Sequence, residues 1–231
     1  MRVVLVHGTM DRGAGMLRVA REVKHPNVTR YDRRGYGRSF HCAPARSFDD
    51  HLDDLAEVVG NEPTVVFGHS YGGVLALALA TRGHAALKGV AVYEAPMAWQ
   101  PWGPAPPRRE VGLVAAVTQF VAGVLGQEVW DRLPQSSRDA RIAEGQTMLD
   151  ELAWQRTQHF DLGAIAVPVL AGVGAESGLT AQRAAAVARN ELGPDVVRVI
   201  DGATHPATLT HPADIANMID ELVLLVGDEF L

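Results

Sequence analysis

A serine flanked by glycines at residues 68–72 has the spacing of a tight turn that exposes a nucleophile. The run reads Gly68-His69-Ser70-Tyr71-Gly72. It follows the apolar residues 64–67 and precedes the small apolar residues 74–80. A strand before and a helix after are the context that a G-x-S-x-G nucleophile turn requires. A hydroxyl held in such a turn attacks a carbonyl carbon once a base takes its proton. The pattern therefore predicts acyl transfer at the Ser70 oxygen.

A serine nucleophile needs a general base, and His205 is the candidate among the nine histidines of the chain. It stands in a glycine-containing loop, residues 201–206, between the last predicted strand and the last predicted helix. Loops at the carboxyl ends of strands form the site in open α/β sheets. His7 and His69 adjoin the site motifs, but their positions indicate structural and packing roles.

The base must in turn be oriented by an acid, and two glutamates follow predicted strands at suitable places. Glu94 follows the strand after the serine turn, and Glu176 follows the next strand along the chain. Either preserves the chain order nucleophile, acid, base that a G-x-S-x-G site requires. We expect Glu176 to be the acid and keep Glu94 as the alternative. Asp201 is a poorer candidate because it is only four residues from His205.

Two stretches of backbone are candidates for stabilising the negative charge that develops on a carbonyl oxygen. The Tyr71 amide lies at the predicted start of the helix after Ser70, where amides point outward without helical partners. Gly8 permits a tight turn after the first strand, so that the amide of Thr9 or Met10 could supply a second donor.

Short apolar runs alternate with helical patterns along most of the chain, which predicts an α/β fold. The predicted strands are residues 3–6, 28–31, 64–67, 87–93, 167–173 and 196–200, and the predicted helices are about 14–24, 48–59, 71–82, 180–191 and 212–227. Such alternation is typical of a mostly parallel sheet with helices on both faces. Strands that are apolar throughout agree with burial on both faces.

The alternation stops between about residues 95 and 161. This stretch begins with several prolines, continues with apolar helical runs, and holds all four tryptophans of the chain: Trp99, Trp102, Trp130 and Trp154. We interpret residues 95–161 as a helical cap insertion, with residues 1–94 and 162–231 as the core domain. Such a cap could line an apolar pocket for an acyl or aromatic group, or the tryptophans could simply pack the insertion onto the core.

Composition narrows the possible partners. The chain has 231 residues, a net charge of -6 and one cysteine, Cys42. The acidic balance argues against binding to nucleic acid or to an anionic membrane surface, and no apolar run is long enough for a membrane span. A single cysteine allows no internal disulfide, so a cytoplasmic location is the default expectation. No Cys/His spacing indicates a metal site.

Together these motifs resemble the α/β-hydrolase superfamily, in its serine-nucleophile branch. The resemblance rests on His7-Gly8 after the first strand, the segment from Asp32 to Ser39 (D-x-R-G-x-G-x-S), the Ser70 turn, and His205 with Pro212 seven residues later. It implies a serine, acid and histidine triad, an oxyanion loop at residues 7–8, a helical cap and no cofactor. One departure is clear, because Ala175 stands where the family's usual G-x-x-D motif has aspartate.

We therefore expect a hydrolase of the carboxylesterase type that acts on a small-molecule ester or related acyl compound. Two other classes remain as alternatives. One is a slow or non-catalytic small-molecule receptor on the same scaffold, because a fold does not fix function. The other is an oxidoreductase that binds NAD(P), because glycines 172, 174 and 178 loosely resemble a dinucleotide-binding loop. That second alternative leaves the Ser70 turn and His205 unexplained.

Overall fold

Six parallel strands form one sheet at the centre of the molecule in a computed structural model that describes residues 1–106 and 109–227. The strands are β1 (Arg2–Val6), β2 (Val28–Arg30), β3 (Thr64–His69), β4 (Leu87–Tyr93), β5 (Val169–Gly174) and β6 (Val197–Ile200). Their order across the sheet is β2-β1-β3-β4-β5-β6, and every neighbouring pair is parallel. The predicted fold class is confirmed, with all six strands where the apolar runs placed them.

Ten α-helices accompany the sheet in the described part of the chain. They are α1 (Leu17–Glu22), α2 (Phe48–Val59), α3 (Tyr71–Arg82), α4 (Leu113–Leu125), α5 (Gln127–Arg132), α6 (Gln135–Ala143), α7 (Gly145–Trp154), α8 (Leu179–Leu192), α9 (Ala207–Thr210) and α10 (Pro212–Gly227). The start of α2 shows a local cause, because the Ser47 side chain accepts a hydrogen bond from the Asp50 amide. None of these helices is long and apolar enough to cross a membrane.

The alternation of side chains along each strand divides the core into two layers. In β1, Val4 and Val6 pack with α2, α3 and α8, whereas Val3 and Leu5 pack with α1 and α10 on the opposite face. Successive side chains of a strand point to opposite faces of the sheet, so continuous apolar strands require helices on both sides. The sheet is therefore buried, and polar side chains at the carboxyl ends of its strands lie at one edge.

Between β4 and β5 lies the stretch that we call the inserted segment, residues 95–161. Its described part contains α4 to α7 and no strand. The segment has its own apolar cluster, in which Val117, Trp130 and Met148 pack with Met10 and Tyr36 of the core. Residues 107–108 of this segment, and residues 228–231 of the expected core, lie outside the described residues.

The four tryptophans take the packing role rather than the pocket-lining role. Trp130 is buried inside the apolar cluster of the inserted segment. Trp99, Trp102 and Trp154 are partly buried against the core cluster that contains α3. Large aromatic side chains bury much apolar surface, so they suit the junction between an insertion and its core.

Candidate active site

The turn between β3 and α3 raises Ser70 above the edge of the sheet. Ser70 has a φ of 54°, which is the left-handed region that non-glycine residues rarely adopt. The neighbouring glycines are required by space, because a Cβ on Gly68 would lie 2.3 Å from the Gly72 carbonyl oxygen. A Cβ on Gly72 would lie 2.3 Å from the Val6 oxygen. The G-x-S-x-G spacing thus reflects how closely β1, β3 and α3 approach one another here.

Adjacent strands bring Glu94 close to the serine turn. His69 and Tyr93 are paired across β3 and β4, so Ser70 and Glu94 are the next residues on neighbouring strands. The Ser70 amide donates to the Tyr93 oxygen at 2.9 Å, and the Glu94 amide donates to the Gly172 oxygen at 3.0 Å. Glu94 also has a positive φ of 47°. Both residues therefore leave the sheet in unusual conformations at the same edge.

His205 meets Glu94 at this edge. Its Nδ1 donates to Glu94 Oε2 at 2.8 Å. The Glu94 side chain is only 3% exposed, whereas the imidazole is 30% exposed. His205 and Ser70 line the same two cavities, although no hydrogen bond joins their side chains within the described part of the chain. Such bonds are often long in ligand-free sites.

Glu94 is held as a carboxylate by several donors. Its Oε1 accepts hydrogen bonds from the Ser177 hydroxyl and, at 3.1 Å, from the Gly174 amide. Burial alone raises the pKa of this carboxyl, but the hydrogen bonds from His205, Ser177 and Gly174 outweigh it and hold the pKa below its ordinary value. The site therefore combines a buried anion with an imidazole that reaches solvent.

Glu176, the acid expected from the sequence, lies elsewhere. It lies in the loop after β5, where it is exposed and its amide donates to the Ala203 oxygen at 3.1 Å. Its neighbour Ser177 instead directs its hydroxyl to Glu94. The structure thus brings Glu94, the alternative acid, to His205, and it leaves Glu176, the acid expected from the sequence, exposed to solvent. The cause is the path of this loop, which carries the Glu176 side chain away from the site.

His69 has a positioning role that the sequence did not reveal. Its Nε2 lies 3.0 Å from the backbone oxygen of His205, and the two rings are 4.8 Å apart. Because a carbonyl oxygen only accepts, His69 carries its proton on Nε2 and donates it. Burial, aided by His205, lowers the pKa of His69 to about 3. A neutral, buried histidine thus fastens the loop that carries His205.

The loop after β1 lies on the other side of Ser70. His7 is fully buried, accepts from the Arg33 amide through Nε2 at 2.8 Å, and donates through Nδ1 to the Gly8 oxygen, which makes it structural as expected. Thr9 lines the larger cavity together with Ser70 and Tyr71. Met10 has a φ of 60° and lines the smaller cavity together with Ser70.

A second buried glutamate, Glu151 on α7, links the inserted segment to this loop. Both of its oxygens accept from the Arg33 guanidinium, and Oε2 also accepts from the hydroxyls of Tyr36 and Thr9, at 2.8 and 2.9 Å. Arg33 also donates to the backbone oxygens of His7 and Gly8. Burial lowers the pKa of Arg33, but the charge of Glu151 outweighs it and keeps the guanidinium protonated.

Two cavities of unequal size adjoin Ser70 and His205. The larger has a volume of about 570 Å³ and is lined by Phe120, Val124 and Leu152 of the inserted segment. The smaller has a volume of about 110 Å³ and ends near Asp11 and Arg141. The inserted segment therefore supplies much of the wall of both cavities.

The described residues contain no group of three or more His, Cys, Asp or Glu side chains that could hold a metal ion.

The glycines that suggested a dinucleotide loop have another use. Gly172 and Gly174 lie inside β5, where a Cβ on Gly172 would lie 2.8 Å from the Tyr93 ring. A Cβ on Gly174 would lie 2.2 Å from the Ala203 oxygen. These contacts account for both glycines by packing.

Comparison with known proteins identifies the family and the fold. The model of the alpha/beta hydrolase family matches residues 3–218. The lipase LipV of Mycobacterium tuberculosis is 35% identical over 82 residues, which are 34% of this chain and 31% of that lipase. The chain thus spans about a third of that relative's length.

Solved structures show the same fold. An alpha/beta hydrolase from Sphaerobacter thermophilus is 24% identical with a TM-score of 0.74, covering 96% of this chain and 92% of that one. A structure from work on carboxylesterases of Nitrososphaera gargenis is 17% identical with a TM-score of 0.70, covering 99% and 91%. At these identities the likeness concerns the fold, and the family match covers nearly the whole chain. The chain belongs to the alpha/beta hydrolase family.

Proposed function

We propose that this protein is a serine hydrolase that cleaves a carboxylic ester or a related acyl compound through a covalent acyl-enzyme. The observation that carries the proposal is the 2.8 Å hydrogen bond from His205 Nδ1 to Glu94 Oε2, beside the cavities that His205 and Ser70 both line. A partly exposed imidazole oriented by a buried carboxylate is the arrangement that lets a nearby serine act as a nucleophile.

The reaction follows from these positions. His205 Nε2 takes the proton of the Ser70 hydroxyl as the serine oxygen bonds to the carbonyl carbon. Glu94 fixes the tautomer with Nδ1 protonated and stabilises the imidazolium that forms. His205 then gives its proton to the leaving group as the bond to that group breaks. Water, activated by the same imidazole, attacks the acyl-enzyme and releases the acid and free Ser70.

We assign the oxyanion donors to the backbone amides of Tyr71 and Thr9. Tyr71 begins α3, so its amide has no partner within the helix, and Thr9 lies in the wall of the same cavity. Met10 was the other candidate; it lines the smaller cavity but not the larger one, whereas Thr9 lines both. Each donor directed at a developing oxyanion contributes roughly 3 kcal/mol to the transition state.

The inserted segment is proposed to act as a cap that selects the substrate. It gives the larger cavity its apolar wall of Phe120, Val124 and Leu152, which suits an apolar acyl chain or an aromatic group. The names of the relatives, a lipase and carboxylesterases, support ester cleavage. The volume of about 570 Å³ is large enough for a medium-sized acyl chain.

Turnover of p-nitrophenyl esters of two to eight carbons tests this function. We expect hydrolysis by the wild-type protein, and losses of about 10⁶-fold in kcat for Ser70→Ala and for His205→Ala, with the double variant no worse than either. Each variant must keep the wild-type melting temperature. Turnover that survives either substitution contradicts the assignment. Ligand binding by the wild type without any ester or thioester hydrolysis would favour a receptor on this scaffold.

A further inference from the structure

One side chain that lines the larger cavity contains a buried polar atom without a hydrogen-bond partner among the described residues. Gln155 follows α7 directly and is only 2% exposed. Its Oε1 is buried and has no hydrogen-bond partner among the residues that the structure describes. Leaving such an acceptor unpaired costs about 1–3 kcal/mol. Native proteins keep few such atoms, and each calls for an explanation.

Tyr71 also lines the larger cavity, and it too carries an unpaired buried polar atom. Its side chain is buried, and its hydroxyl has no partner within the described residues. The Arg33 guanidinium lies 4.9 Å from the centre of the Tyr71 ring. It therefore covers the face of the ring and leaves the hydroxyl unpaired. The neighbouring carboxylate of Glu151 already accepts from Arg33, Tyr36 and Thr9. Two unpaired polar groups thus belong to residues that line one cavity with Ser70.

These groups can both accept and donate. The Gln155 amide offers a carbonyl oxygen and an NH₂ group, and the Tyr71 hydroxyl offers either function. The terminal torsion of glutamine is broad, so a small rotation would turn its amide toward the cavity. The rest of the wall that the inserted segment contributes is largely apolar. A purely alkyl substrate would leave Gln155 Oε1 unpaired, whereas a substrate hydroxyl or amide N–H would pair with it.

We propose that the Gln155 amide forms a hydrogen-bonding subsite for acyl substrates that carry a hydroxyl or amide group on the part that enters the larger cavity. The subsite rests on the proposed hydrolase function of Ser70. With the amide turned toward the cavity, a substrate hydroxyl or amide N–H donates to Gln155 Oε1. Sites built to bond such a group discriminate strongly against analogues that lack it.

Matched esters test the subsite. The p-nitrophenyl esters of hexanoate and N-acetyl-β-alanine have acyl chains of equal length but differ by an amide, and 3-hydroxyhexanoate adds a hydroxyl. For the wild type we expect kcat/KM to be at least about tenfold higher for one of the polar esters than for hexanoate. In Gln155→Met this ratio should fall toward one. Gln158→Met is the matched control, because Gln158 bonds the Trp154 oxygen outside the cavity and should keep the wild-type ratio.

Direct binding separates failure of the subsite from failure of the proposed function. Calorimetry on Ser70→Ala protein compares hexanoic acid with N-acetyl-β-alanine and 3-hydroxyhexanoic acid, and needs neither turnover nor the Gln155 variant. Tighter binding of a polar acid supports the subsite even if no ester is hydrolysed. Equal or weaker binding of both polar acids, or an unchanged ratio in Gln155→Met, overturns it and leaves Gln155 with a bound water at most.

Discussion

Glu94 and Glu151 are both buried, and each faces a histidine, yet their surroundings differ. Among the residues that the structure describes, Glu94 accepts from the uncharged Ser177 hydroxyl and Gly174 amide and from His205, whose ring is partly exposed. Glu151 is fully buried and neutralised by Arg33, and its histidine, His51, is 1% exposed. His51 Nε2 lies 3.4 Å from Glu151 Oε1 without the alignment of a hydrogen bond.

The difference shows what turns a buried carboxylate and a histidine into a pair that can move protons. Burial is the dominant cause that lowers the pKa of His51 to about 4; Glu151 opposes this shift and Arg33 adds to it. His51 therefore stays neutral near pH 7. The Nδ1 of His205 instead donates directly to a carboxylate that accepts from no guanidinium within the described residues. By this account Glu94 serves the reaction, and Glu151 ties the inserted segment to the loop that carries Thr9.

The largest expected contrast is in kcat. Glu94→Gln should lower kcat about 10⁴-fold, because the amide no longer fixes the tautomer of His205 or stabilises its charge. Glu151→Gln should lower kcat far less in protein that remains folded. Glu176→Gln is the matched control, because Glu176 also follows a strand at this edge of the sheet. Its kcat should stay within about twofold of the wild-type value. Steady-state hydrolysis of p-nitrophenyl butyrate measures all three, and a larger loss in Glu176→Gln than in Glu94→Gln would reverse the assignment.

Stability should show the opposite order. Glu151→Ala leaves the Arg33 charge buried without its partner, which should lower the free energy of unfolding by about 3–5 kcal/mol. The double variant Arg33→Met with Glu151→Leu should lose clearly less than the summed losses of Arg33→Met alone and Glu151→Leu alone, since both charges are gone. Urea unfolding gives these values. Additive losses would mean that the ion pair is not the unit that stabilises the junction.

A smaller effect concerns pH. His51 has a folded pKa of about 4 and an ordinary unfolded value near 6.5, so the unfolded chain binds more protons between these values. The free energy of unfolding should therefore fall by up to roughly 1.4 kcal/mol for each pH unit below 6.5 on account of His51. Glu94, whose pKa is lowered, stabilises the fold above its ordinary pKa and loses this contribution only at more acidic pH.

Urea unfolding at pH 7.5, 6.0 and 5.0 measures this dependence. The variant His51→Phe keeps a ring against Tyr71 and Trp154 but removes the titrating group, so its slope should be shallower than that of wild type. The exposed His159 of the inserted segment supplies the control, and His159→Phe should leave the slope unchanged. An identical slope in His51→Phe and wild type would remove His51 from the account.

The sequence predicted what depends on local pattern and failed where distant segments meet. The strands, the ends of α2, α3 and α10, and the Ser70 turn follow from apolar runs and glycines close in sequence. The choice between Glu94 and Glu176 depended on the path of the loop after β5, which no periodicity encodes. The bond between Glu151 and Arg33 joins residues 118 positions apart, so neither partner could be matched to the other in advance.

The tryptophans show the same limit. They are concentrated in residues 95–161, whose described part contains helices and no strand, but which side chains face the cavity depends on how α4 and α7 dock on the core. Phe120, Leu152 and Gln155 line the larger cavity, and each reads as an ordinary helix residue in the sequence.

Covalent labelling with a fluorophosphonate, followed by mass spectrometry of the labelled peptide, tests the central claim most directly. The account predicts one adduct, on Ser70, absent from Ser70→Ala. It also predicts that labelling is slower by orders of magnitude in Glu94→Gln. Glu176→Gln should not share this loss. No adduct on folded wild-type protein, or an adduct on another residue, would contradict the account.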